Sequence, residues 1–162
     1  MPVQPIRHFP DSVLRETCEP VLHYDKALER LIADLSATLE RQPHGIGIAA
    51  PQIGALKQVA IVDVSKRIPE ARRLILVNPK ILELRQERAS REGCMSLPDY
   101  TANLKRYEIV KLGWEDERGA YQEKVFIGIE AVCIQHEVDH LNGVLFIDRV
   151  TSLKRDMIPR PK

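Results

Sequence analysis

His136, Glu137 and His140 lie in the stretch CIQHEVDHLNG, with two histidines four residues apart and a carboxylate beside the first. On a helix this spacing puts both imidazoles on one face, separated by about 6 Å along the axis. That is the way a helix offers two nitrogens to one metal ion, with the intervening glutamate free to handle a proton. A catalytic site of this kind needs a third protein ligand and an open place for water. Downstream of His140 only Asp148 and Asp156 could ligate, which leaves the upstream residues to supply the third ligand. Cys94, in SREGCMSLP, sits among glycine and serine in a segment that reads as a tight turn between strands. Its thiolate would complete a two-histidine, one-cysteine set, with the metal keeping it deprotonated. Cys133, one helical turn before His136, is the rival. Three ligands on successive turns crowd a single ion, which ranks Cys94 first.

GIGIAAPQIG, residues 45–54, is the other unusual stretch. It has neither the lysine of a phosphate loop nor a third glycine at dinucleotide spacing. Its small residues allow close backbone approach, and an extended Gly-Ile-Gly-Ile, residues 45–48, is suited to pairing with a peptide as an added strand. Gln52 carries an amide donor that suits a developing oxyanion. Read alone, the stretch is equally a tight turn.

The elements that must position these residues follow from periodicity. Leu28, Leu31, Ile32, Leu35 and Leu39 predict a helix over Tyr24 to Gln42, stopped by Pro43. Lys57 to Ser65 reads as a strand, and RLILVNPKILEL as two strands broken at Asn78-Pro79. Tyr107 to Trp114 and Tyr121 to Ile127 flank EDERGA as a hairpin. Ile129 to Leu141 is a helix with Ala131, Ile134, Val138 and Leu141 on one side, closed by Gly143. VLFIDRV reads as a last strand, the segment before Pro20 as a surface wrap, and the basic tail RDMIPRPK as loose. The whole is an α+β arrangement in one domain over residues 1–162.

Composition bounds the function. With 44% hydrophobic and 29% charged residues the chain has the make-up of a soluble globular protein. A formal net charge of +1 argues against a DNA-binding surface, and no stretch has the length of a membrane span or the apolar core of a signal peptide. Three cysteines make no disulfide framework. A cytoplasmic enzyme is the expectation.

GIGIAAPQ, EGCMS and QHEVDHLNG, in this order and at these separations, resemble the three signature motifs of the peptide deformylase family, and the likeness extends along most of the chain. The resemblance implies antiparallel strands around a central metal-binding helix, and removal of the N-terminal formyl group from formyl-methionyl peptides as they leave the ribosome. By position it implies that Cys94, His136 and His140 are the metal ligands, with Fe2+ native and Zn2+ or Ni2+ as substitutes. It implies that Glu137 is the general base and acid, and that Gln52 and the Met95 backbone N–H are the oxyanion donors. It further implies that Ile46 and Gly47 pair with the peptide backbone, and that Gly45, Glu92, Ile129, Val132 and Cys133 surround the methionine side chain.

Four features depart from the commonest pattern: Met95 for leucine, Thr101 where an arginine often holds the peptide, Glu130 where an apolar residue is usual, and a short tail. Thr101 and Glu130 motivate a second reading, a second-copy deformylase-like amidase with altered N-acyl specificity. A third, a non-catalytic module binding nascent chains, has against it the complete ligand, base and oxyanion set.

Overall fold

Asp25 starts the first helix: its carboxylate accepts a hydrogen bond from the Leu28 N–H at 3.0 Å, satisfying a donor that the first turn leaves without a partner. In the computed structural model, which describes residues 2–161, this helix, α1, runs Lys26–Glu40. It is two residues shorter at each end than periodicity predicts. It buries Leu28, Leu35 and Leu39 against Ile48, Val59 and Ile61. Leu35 is wholly inside, a burial that stabilises by about 1.5–3 kcal/mol.

The strands are β1 (Gly47–Ala49), β2 (Val59–Val62), β3 (Leu74–Cys94), β4 (Leu97–Glu115), β5 (Tyr121–Ile127) and β6 (Met157–Pro159). They form one antiparallel sheet in the order β1-β2-β3-β4-β5, with β6 on the early part of β4. Asn78-Pro79 does not break β3 in two, contrary to expectation. Asn78 takes φ 50° at a register shift, and its side chain makes up for the lost ladder bonds. The amide oxygen accepts from the Val21 N–H at 2.8 Å, and the amide nitrogen donates to Val21 O at 2.9 Å and Glu115 at 2.6 Å. The result is a bulge, which bends a strand without ending it.

Two further expectations are corrected at the C-terminal end. Phe146–Arg149 forms a 3-10 turn and not a strand, because the Asp148 carboxylate accepts from the Leu145 N–H at 2.8 Å and closes the chain locally. The tail is not loose. A short helix α3 (Leu153–Asp156) is capped by Ser152, and β6 then pairs Ile158 with Thr101.

The second long helix, α2 (Gly128–Leu141), packs across the sheet against β4, β2 and β1. Every residue from Ala131 to Leu141 is buried, so its apolar residues do not mark one inward face. A helix buried all round is normally apolar all round. This one carries Gln135, His136, Glu137, Asp139 and His140 inside, and each needs a partner or a purpose. Gln135 finds its partner in β4, accepting from the Tyr107 N–H at 3.0 Å and donating to Tyr107 O at 2.7 Å. At the far end Gly143, φ 74°, donates to His140 O at 3.2 Å and closes the helix. Among the described residues no helix is long and apolar enough to cross a membrane.

Candidate metal centre

Helix geometry brings His136 and His140 one above the other, with ring centroids 5.0 Å apart and planes at 67°. Cys94 comes from elsewhere. It ends β3 just before the two-residue turn Met95–Ser96, and the turn aims its sulfur back at α2. Cys94 Sγ lies 3.3 Å from His140 Nε2, and one ligand atom from each of the three residues falls within 4.8 Å of the others. A thiolate and two imidazoles at that spacing form the donor set of a small transition-metal cation. Cys133 does not join them. Its thiol donates to Ile46 O at 3.5 Å, on the wall of the adjoining cavity.

The histidines are held unequally. His136 Nδ1 donates to Glu92 Oε1 at 2.9 Å, which leaves Nε2 for the metal side. His140 Nδ1 has no partner among the described residues. Glu92 is the start of a buried network that sequence reading did not find. Arg106 donates to both Glu92 oxygens, at 2.7 and 2.8 Å, and to Asp139 at 2.7 Å. Arg149 closes the chain with two bonds to Asp139, at 2.9 and 2.8 Å. Burial alone would raise the Glu92 carboxyl, yet the bonds from Arg106 and His136 hold it down at about 2. The sequence signals for this network were Glu92, inside EGCMS but assigned there to the methionine pocket, and Asp139, inside the histidine motif. Nothing local marks Arg106, which is 3% exposed in the middle of β4.

Glu137 has the opposite character. It is 3% exposed, its Oε1 has no hydrogen-bond partner among the described residues, and burial pushes its pKa up to about 7. A carboxyl poised near neutrality can both take and return a proton. Gly47 makes room for it. A Cβ at that position would stand 2.6 Å from Glu137 Oε2 and 2.8 Å from Cys133 Sγ, too close for any other residue without displacement.

Gln52 is wholly buried in a 3-10 turn, Ala50–Ile53, that follows β1. Its Oε1 accepts from the Ala49 N–H at 2.9 Å, which fixes the amide so that Nε2 points at Ser96 Oγ (3.1 Å) and Cys94 Sγ (3.6 Å). A cavity of about 770 Å³ opens above these groups. Gly45, Ile46, Gly47, Met95, Ile129, Val132 and Cys133 all border it. Glu92 borders it as well, with its carboxylate committed to Arg106 and His136. Thr101 and Glu130, the two departures from pattern, do not.

Three comparisons bear on this arrangement. A family model described as polypeptide deformylase matches residues 3–156. The chain is 42% identical over 159 residues to a peptide deformylase of Mesorhizobium japonicum, covering 98% of this chain and 90% of that protein. Its fold is similar to that of a peptide deformylase crystal structure from Legionella pneumophila, with a TM-score of 0.88 at 35% identity over 95% of this chain and 89% of that one. A Met-Ala-Ser-bound peptide deformylase from Acinetobacter baumannii is similar at a TM-score of 0.85 and 35% identity, over 92% of this chain and 99% of that one.

Proposed function

The chain belongs to the polypeptide deformylase family, and on that premise we propose which of its residues carry the reaction. The enzyme is a metal-dependent hydrolase that removes the formyl group from peptide N-termini. In our reading Cys94, His136 and His140 hold the metal. The observation that carries this is the convergence of their donor atoms within 4.8 Å of one another, with Cys94 and His136 bordering the same cavity as Glu137. When bound, the metal supplies Lewis acidity that brings the pKa of water to about 7.

The protein's own groups do the rest. Glu137 takes a proton from the attacking water and delivers it to the amine nitrogen as the formyl C–N bond breaks, giving formate and a free N-terminus. Gln52 Nε2 and the Met95 backbone N–H receive the charge that develops on the formyl oxygen. β1 is the edge strand of the sheet, and its outer side at Gly47, with Ile46 just ahead of it, takes the peptide backbone as an added strand. Gly45, Ile129, Val132 and Cys133 form the wall for the methionine side chain. Glu92 acts behind His136, fixing the ring through Nδ1.

The reading extends to one catalytic domain over 1–162, to Fe2+ as the native metal with Zn2+ or Ni2+ able to replace it, and to formyl-methionyl chains met in the cytoplasm at the ribosome. The donor set supports the metals named, since two nitrogens and a thiolate suit iron, nickel and zinc alike. The Met-Ala-Ser complex of the Acinetobacter relative supports the peptide. The test is formate release from formyl-Met-Ala-Ser by protein loaded anaerobically with iron and separately with nickel, alongside acetyl-Met-Ala-Ser. Turnover of the formyl peptide alone is expected. Equal turnover of the acetyl peptide would overturn the assignment of the acyl group.

A further inference from the structure

Charge around the cavity is distributed unevenly. Among the described residues the only carboxylates bordering it, Glu92 and Glu137, lie buried. Around the opening stand Arg67, Arg88, Arg91 and Arg160. Arg88 is neutralised by Glu108 at 2.9 Å, whereas Arg67, Arg91 and Arg160 make no ion pair among the described residues. In a chain whose net charge is only +1 this is a local concentration of uncompensated positive charge.

Arg160 is the member of the group that the fold puts there most deliberately. It follows β6, and its backbone N–H donates to Asp99 O at 2.8 Å, continuing the pairing of Pro159 with Tyr100 and Ile158 with Thr101. Its guanidinium then lies over Gly93, in the space that a side chain at position 93 would fill, and the Thr101 methyl borders that same space. Arg91 Nε donates to the Thr101 hydroxyl at 3.3 Å. Two guanidinium groups therefore come to the mouth beside Thr101, which does not itself border the cavity, and next to the strand end that delivers Cys94.

We infer that Arg160 is a specificity-determining residue that binds the peptide beyond its formyl-methionine, and that with Arg91 it selects acidic side chains at the second and third positions. This rests on the deformylase reading of the site. A planar five-donor group suits a carboxylate, and an exposed pair of this kind is worth a small factor in binding and nothing in the bond-breaking step.

The experiment compares formyl-Met-Ala-Ser, formyl-Met-Ala-Asp and formyl-Met-Ala-Lys as substrates of nickel-loaded wild-type protein and of the Arg160→Ala, Arg160→Lys and Arg160→Glu variants, with kcat and KM separated. Wild type is expected to favour the Asp peptide over the Lys peptide through KM, by about threefold to fivefold at low salt. The preference should shrink as salt rises. Arg160→Ala should lose most of it with kcat unchanged, Arg160→Lys should keep it, and Arg160→Glu should invert it toward the Lys peptide. A merely structural role for Arg160 would give no inversion. An unchanged preference in Arg160→Ala and Arg160→Glu overturns the inference, as does a kcat loss equal for all three peptides. Wild-type protein that turns over none of the three overturns the deformylase reading and the inference with it, whereas turnover without an acidic preference overturns the inference alone.

Discussion

His136 Nδ1 and Glu92 Oε1 lie 2.9 Å apart although 44 residues separate them in the chain. Through Arg106 the same carboxylate is tied to Asp139, on the helix that carries His136 itself. The imidazole is therefore fixed from both sides by one buried network, and with His136 as a proposed metal ligand, breaking the network should disturb metal binding and stability together. Glu92→Gln is expected to leave the Arg106 charge half-compensated, costing about 3–5 kcal/mol of folding stability. Metal affinity should fall by about 10-fold to 100-fold. Chemical denaturation and competition with a chelator measure the two effects. A variant with wild-type values in both would remove the network's role.

Glu137→Gln keeps the shape of the side chain and removes its ability to accept a proton. Metal content by elemental analysis should match wild type, while kcat falls by about 10²–10⁴. Deformylation at the wild-type rate would show that another group moves the proton.

Gly47→Ala tests the space around that carboxylate. The added methyl would stand 2.6 Å from Glu137 Oε2, so the carboxylate has to move. A displacement on the order of 1 Å at a reacting group costs about 100-fold in rate. The expected result is a large loss in kcat with metal retained. Unimpaired kcat would mean that Glu137 has freedom which the packing denies it.

Gln52→Ala removes one of the two proposed oxyanion donors and should lower kcat by about 10²–10³. The neighbouring Ala49 N–H also loses its acceptor, so denaturation is followed in parallel. A rate loss with little change in denaturation midpoint is the expected pattern, and loss of stability with unchanged rate is the pattern that would contradict it.

Cys18, buried where the N-terminal segment meets the end of α2, gives a pH signature away from the centre. Its N–H donates to Leu141 O at 2.9 Å, and burial, with the Glu16 charge adding to it, pushes its thiol from 9.0 up to about 12. The folded state thus keeps the proton after the unfolded state has released it. Stability from this source is complete below pH 9 and falls between pH 9 and 12, by at most about 1.4 kcal/mol per pH unit. Denaturation midpoints of wild type and Cys18→Ala at pH 8 and pH 10.5 should show the extra decline in wild type alone. Parallel declines would mean that the thiol ionises in place.

The residues closest to the chemistry were legible in the sequence because their relationships are local. Four residues on a helix always bring two side chains together, so His136, His140 and Glu137 could be placed by counting. The turn at Met95–Ser96, the strand at β5 and the stop at Gly143 likewise depend on a few adjacent residues. What supports that chemistry was not legible. Arg106 lies just ahead of the strand that the sequence marks from Tyr107, and reads as one more charged residue until the register of β3 with β4 and the packing of α2 place it between Glu92 and Asp139. The same is true of Asn78, whose bulge is held by Val21 and Glu115, and of Arg160, brought to the cavity mouth by three residue pairs between β6 and β4. Each depends on contacts between segments far apart along the chain. Strand register and helix packing decide those contacts, and no local pattern encodes either one.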